Sequence, residues 1–260
     1  MRSFTHFAAG IVLTSLAFGA AADSKLESKP PKKPRYTEVQ VSDGGTISGI
    51  VRFTGKVDQE SPVEITTSED ICHSDPIFSE ELVVNENGGV QWAVVSIKKI
   101  RAGKAFPDSS DTESQPAMNQ EGCVFTPHVV VAKVGQKVLL RNSDGVLHNV
   151  HSWPKKNRSI NIAMPGSVTE MNTKFRRAER IRVTCDVHPW MIGWFVASDH
   201  PYNSVTTDDG AFELTDVPAG TYTLEIWHES LGTQEQTVTV ESGSTSEVNF
   251  TFDTVPAQDD

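Results

Sequence analysis

Apolar and polar residues alternate along much of this chain with a period of two, the pattern of strands that bury one face. It predicts strands over 46–53, 129–134, 137–141 and 179–184, each short and rich in β-branched residues. Gly135 and Gln136 separate the second and third of these as the turn of a hairpin would. Short helical turns are expected only over 67–72 and 168–175, because no stretch carries a sustained 3.6-residue stripe with caps at both ends. Further on, 205–214 and 217–224 read as strands broken by the turns at Asp209-Gly210 and Ala219-Gly220, which suits a meander. The expectation is an all-β, sandwich-like architecture.

The first forty residues follow a different pattern. Arg2 precedes an apolar run over 7–18 that closes on Gly19, Ala20, Ala21, Ala22 and Asp23. This predicts a signal peptide over 1–22 and a periplasmic or secreted mature chain. The run is shorter than the roughly 18 residues a membrane span needs, and no later stretch is apolar enough, so no span is expected in the mature chain. Residues 23–40, dominated by Lys, Pro and Ser, read as a disordered linker. A formal net charge of −11 argues against a nucleic-acid partner, which would demand a dense basic surface. A basic redox partner or a small ion is the better electrostatic match.

The chemistry concentrates in Cys185-Asp186-Val187-His188-Pro189-Trp190-Met191. A soft thiolate, an imidazole and a thioether at C-x-x-H-x-x-M spacing, directly after a strand, suit one copper ion. The remaining ligand must come from another segment, and His148, after the polar turn that follows 137–141, is positioned to supply it. Two imidazoles and a thiolate with a distant Met make a blue-copper electron-transfer site. Zinc is the next candidate, although structural zinc prefers further Cys or His to a thioether. Met191, beside Trp190 and Trp194, also fits a packing role. Cys72 and Cys123 are the remaining cysteines, and in an exported chain a disulfide is the simplest reading. The rival is a second metal cluster that uses His73 or His128. His151, His200 and His228 read as satisfied surface or core residues, and the basic run 174–180 as a solvated edge rather than a docking site for an acidic partner. No Ser-His-Asp order or phosphate-cradling Gly loop stands out.

These motifs resemble the cupredoxins, most closely amicyanin and pseudoazurin, which pair an H-N-V motif with a short C-x-x-H-x-x-M loop. The likeness runs over 88–198. The segment 203–252 resembles the transthyretin-like carboxypeptidase regulatory-like sandwich, where a D-x-G-x-F strand precedes a P-x-G-x-Y strand. The wider chain is similar to exported proteins loosely described as methylamine-utilisation proteins. The resemblance implies a cupredoxin-like copper domain over 88–199 and a second sandwich over 200–255. Residues 41–87 supply N-terminal strands, of which 45–53 is a candidate to complete the second sandwich around an inserted metal domain. It implies one copper ion on His148, Cys185, His188 and, axially, Met191. The activity implied is outer-sphere electron transfer with a redox partner protein such as a cytochrome or dehydrogenase, and not enzymic. Copper sequestration, or a copper enzyme with an open coordination position, is the alternative. Asn149 is expected to tie the two ligand loops together through Thr184. Val187 stands where the amicyanin loop has proline and so offers an extra N–H to the thiolate. Pro189, Trp190, Met191 and Trp194 are expected to surround the edge of His188 as the electron exit.

Overall fold

A computed structural model describes residues 1, 36–57, 61–72, 75–107 and 115–257. The expected signal peptide, the linker up to residue 35 and His73 lie outside the described residues. The first elements are β1 (Thr37–Glu38), β2 (Gly45–Phe53), α1 (Glu69–Cys72), β3 (Val94–Ile97) and β4 (Ala102–Gly103). Nine strands follow: β5 (Ala117–Glu121), β6 (Val124–Thr126), β7 (Val129–Lys133), β8 (Val138–Asn142), β9 (His148–Trp153), β10 (Asn161–Met164), β11 (Glu170–Thr173), β12 (Glu179–Thr184) and β13 (Ile192–Ser198). The chain closes with β14 (Asn203–Val205), β15 (Ala211–Val217), β16 (Gly220–His228), β17 (Gly232–Val240), β18 (Thr245–Glu247) and β19 (Phe250–Phe252). No helix among the described residues is long and apolar enough to cross a membrane.

The fold is all-β and forms two sandwiches. In the first, a five-stranded sheet ordered β10-β9-β12-β13-β7 faces a four-stranded sheet ordered β11-β8-β5-β6. Between them lies a core that includes Phe125, Leu140, Met164, Ile181, Val183 and Phe195. Burying each of these side chains contributes roughly 1.5–3 kcal/mol. The hairpin expected at Gly135 is absent, because β7 and β8 belong to opposite sheets. Gly135, at a φ of 84°, carries the chain from one sheet to the other. Its N–H donates to Phe175 O at 2.7 Å, and β7 pairs in parallel with β13 instead. The helical turn expected over 168–175 is also corrected, since Glu170–Thr173 pairs with β8 as a strand.

The second sandwich pairs the sheet β14-β3-β16-β17 with one in which β2 lies between β15 and β18 and also pairs β19. Its core is built from β2, β3 and the C-terminal strands, with Ile47, Val51, Val95, Ile97, Tyr202, Leu224 and Phe250 all buried. Val94–Ile97, expected inside the metal domain, pairs with β14 and β16 and therefore belongs here. Val95 and Ile97 enter the core of the second sandwich while Val94 faces the cluster between the sandwiches, so the strand is covered on both faces. The Asp209-Gly210 turn needs glycine, because Gly210 has a φ of 79° and an added Cβ would lie 2.4 Å from Val51 O.

A small apolar cluster joins the sandwiches: Val94 on one side, Val129 and Val196 on the other, with Trp194 set edge-on against Trp227 at 4.8 Å. Arg180 pairs with Glu225 and lies over the Trp227 ring. His128 pairs with Glu229, whose second oxygen accepts from Trp194 Nε1 at 2.6 Å.

Candidate metal centre

The alternation of β12 decides where Cys185 points. Ile181 and Val183 face the core and Arg182 faces solvent, so the next inward position after Thr184 falls on Cys185, which is buried. On β9 the inward positions are His148, Val150 and Ser152, whereas Asn149, His151 and Trp153 lie on the outer side. Pairing of β9 with β12 sets Thr184 opposite His151 and Arg182 opposite Trp153. The Cys185–Met191 loop is closed by Cys185 N–H donating to Met191 O at 3.2 Å and Met191 N–H donating to His188 O at 2.9 Å. His188 thereby turns back over the end of the sandwich, with its ring 4.5 Å from that of His148.

His148 Nδ1 lies 4.0 Å and His188 Nδ1 3.7 Å from Cys185 Sγ. Donors that share one ion at bond lengths of roughly 2.0–2.3 Å stand about 3.5–4 Å apart, so the three atoms fit a single soft cation. The opposite ring nitrogens are occupied. His148 Nε2–H donates to Asp144 Oδ2 at 2.8 Å, which leaves Nδ1 with a free lone pair, and His188 Nε2 lies 3.0 Å from Ser68 Oγ. Asp144 is itself fixed by the N–H groups of Gly122 (2.6 Å) and Cys123 (3.0 Å).

Electrostatics prepares the donors. Burial pushes the Cys185 thiol up, but His148 and the backbone N–H groups of Asn149, His188 and Val187 outweigh it and hold the thiol below its ordinary range. Burial and the neighbouring His148 depress His188 to about 4, so its lone pair is free at neutral pH. His148 is lowered by burial but raised further by Asp144 and Cys185, for a net upward shift. The set offers a thiolate-prone sulfur and two imidazoles, the chemistry a copper ion takes.

Asn149 does tie the ligand segments, though not through Thr184. Its Oδ1 accepts from Asp186 N–H at 2.6 Å and from Cys185 Sγ–H at 3.3 Å. Its Nδ2 donates to Asn161 Oδ1 at 2.7 Å and Asp186 Oδ2 at 3.0 Å. Thr184 points to the outer face and accepts instead from Trp153 Nε1 at 2.9 Å, because the register sets it opposite His151 rather than Asn149. Met191 is buried in the same core as Cys185.

The expected exposed edge of His188 is covered. The ring is 0% exposed, with Ser68 on its outer nitrogen, and Thr67 Oγ1 donates to Val187 O at 3.4 Å. This capping segment is pinned by the disulfide Cys72–Cys123, whose sulfurs lie within 4.8 Å of a His188 ring nitrogen. Both cysteines are therefore committed to a bond with each other rather than to a second cluster. Asp144, Ser68 and Asp186 were not anticipated. Asp144 was findable as a carboxylate one turn before His148, but Ser68 is 120 residues from its partner and left no local signal. His151 bonds Asp186 at 2.9 Å on the outer face, and His128 serves the junction between sandwiches.

Residues 195–253 match the family model of the carboxypeptidase regulatory-like domain. No curated protein matches the chain. Similar solved structures include a purple cupredoxin from Nitrosopumilus maritimus, at 20% identity over 32% of this chain and 98% of that one, with a TM-score of 0.27. A mutant of amicyanin in its Cu(I) state is similar at 19% identity over 40% of this chain and 98% of that one, TM-score 0.31. A copper-containing nitrite reductase from Thermus scotoductus is similar at 18% identity over 37% of this chain and 25% of that one, TM-score 0.30. The expectation that the chain is not an enzyme is not borne out, because an enzyme, the nitrite reductase, is among the structures it is similar to.

Proposed function

We propose that this chain, which joins a cupredoxin-like sandwich to a carboxypeptidase regulatory-like one, is an exported protein that exchanges single electrons through one copper ion held by His148, Cys185 and His188. The observation that carries this reading is the convergence of two Nδ1 atoms on the Cys185 sulfur, with both opposite nitrogens already engaged. Met191 is the fourth, weak donor, consistent with its burial in the same core. Bound copper supplies a one-electron couple between Cu(II) and Cu(I). The protein's part is to hold the donors still: Asp144 fixes His148, Ser68 fixes His188, and Asn149 clamps Asp186 and the sulfur. Donors that do not move between oxidation states keep the reorganisation accompanying electron exchange small. Export is supported by the signal-like residues 1–22 and by the disulfide, a bond typical of oxidising compartments.

The test is an optical and electron-paramagnetic spectrum of the copper-loaded mature protein. An intense visible thiolate-to-copper band with narrow hyperfine splitting is expected. A pale, widely split spectrum would remove the reading.

A further inference from the structure

The covered edge of His188 raises the question of where electrons enter and leave. On the opposite flank of the ligand loop, Trp153 stands 53% exposed at the end of β9, and its indole N–H donates to Thr184 Oγ1 at 2.9 Å. Thr184 is joined by a peptide bond to Cys185. His151 stacks on the Trp153 ring at 4.1 Å with an interplanar angle of 28°. An aromatic surface thus connects to the thiolate through one hydrogen bond and one residue.

Trp153 opens into a cleft of about 1010 Å³ between the two sandwiches. Lys99, Arg101, Lys155, Lys156 and Arg182 line this cleft, are exposed, and make no ion pair among the described residues. Arg180 adds a sixth cation, already paired with Glu225, and the lining carboxylates are Glu179 and Asp199. Glu179 is engaged by the N–H groups of Lys155, Lys156 and Asn157. In a chain of net charge −11, this concentration of cations is local, and a cleft lined by one sign of charge focuses the field and attracts the opposite sign. The cations come from both sandwiches, Lys99 and Arg101 just after β3, and Lys155, Lys156 and Arg182 from the metal-bearing one. The cleft is therefore built only when the two sandwiches are joined.

We propose that the cation-lined cleft around Trp153 is the docking surface for an acidic redox protein, and that Trp153 and Thr184 form the port through which electrons reach Cys185. This rests on the copper reading above. It reverses the electrostatic expectation from net charge alone, which favoured a basic partner. The step is a one-electron exchange: the partner's centre is oxidised by one electron and Cu(II) is reduced to Cu(I), with no bond formed or broken.

The probe is an acidic plant-type ferredoxin, reduced, mixed by stopped flow with the copper-loaded full chain, with hexaammineruthenium(II) as a small cationic control donor. In low salt, of about 20 mM, the ferredoxin rate is expected to be high and to fall as salt screens the cleft. Lys155→Glu combined with Lys156→Glu should slow it by about tenfold or more, while the control donor is not slowed. Trp153→Leu should lower the limiting electron-transfer rate at saturating ferredoxin while leaving the visible band intact. Unchanged ferredoxin rates in the charge-reversed protein with a normal spectrum would overturn the docking surface, as would a slowing by Pro189→Glu, beside His188, with none from the cleft variants. If no thiolate-to-copper band forms, the copper reading fails separately. Calorimetric titration of the metal-free chain with ferredoxin then decides the docking surface alone. Binding lost on charge reversal supports it; no binding, or tighter binding of an oligonucleotide or sulfated polysaccharide to the same cleft, overturns it.

Discussion

The Val187 amide offers the most direct measure of how the loop tunes its metal. The backbone N–H groups of Asn149, His188 and Val187 help to hold the Cys185 thiol below its ordinary range. Val187→Pro removes one of these three donors, because proline has no N–H, while its ring occupies much the same space as the valine side chain. A hydrogen bond to a charged acceptor is worth about 1.5–3 kcal/mol. Such bonds draw charge from the thiolate and favour Cu(I), so only the part that differs between oxidation states appears in the potential. If that part is about 1 kcal/mol, the reduction potential falls by about 40 mV, at 59 mV for each 1.4 kcal/mol in a one-electron couple. The assay is protein-film voltammetry of Val187→Pro beside Val187→Ala, which shortens the side chain and keeps the N–H. The alanine variant should stay near the wild-type potential and the proline variant should lie clearly below it. Equal potentials in the two variants, with intact visible bands, would refute the reasoning.

Removing the Asn149 side chain as Asn149→Ala leaves Asp186 N–H without its acceptor and should destabilise the metal-free protein by about 1–3 kcal/mol, read as a lower urea midpoint at unchanged slope. The double change Cys72→Ser and Cys123→Ser releases the cap over His188. With a separation of 51 residues the bond should be worth about 4 kcal/mol, and its loss should make His188 reactive to diethyl pyrocarbonate; a ring that stays protected would show that the cap holds unaided. For pH, His188 has a folded pKa of about 4, below its ordinary 6.5, so between these values the unfolded chain binds a proton the folded one does not. Its contribution is full above pH 6.5 and is lost as pH falls towards 4, by at most about 3 kcal/mol. Urea midpoints of the metal-free protein should decline over that window, and His188→Gln should flatten the decline.

The two ligand segments were legible because strand alternation and C-x-x-H-x-x-M spacing are local properties: Ile181, Val183 and Cys185 fall on one face whatever the rest of the chain does. The same locality explains the failures. The stretches on either side of Gly135 carry the right composition for a hairpin, but which sheet each joins depends on partners some sixty residues away, such as β13 for β7. Val94–Ile97 has no marker of its own that assigns it to one sandwich rather than the other. Thr184 is expected to contact Asn149 because it adjoins Cys185, yet the register sets it opposite His151, two positions along β9 from Asn149. The cap was illegible for a different reason. Ser68 is an ordinary residue in a polar stretch, and only the Cys72–Cys123 bond, itself expected, shows that this stretch is held over the metal loop.

The first sandwich enters and leaves the second through neighbouring strands, since Asn203 of β14 lies opposite Ser96 of β3. Paired strands are separated by about 5 Å, so the host needs from its guest only that the two ends of the guest lie close together. The host is thus a socket: another compact domain with adjacent termini can be spliced between β3 and β14 without redrawing the host's own sheets. What such an exchange cannot preserve is the charged cleft, whose walls are contributed by host and guest together.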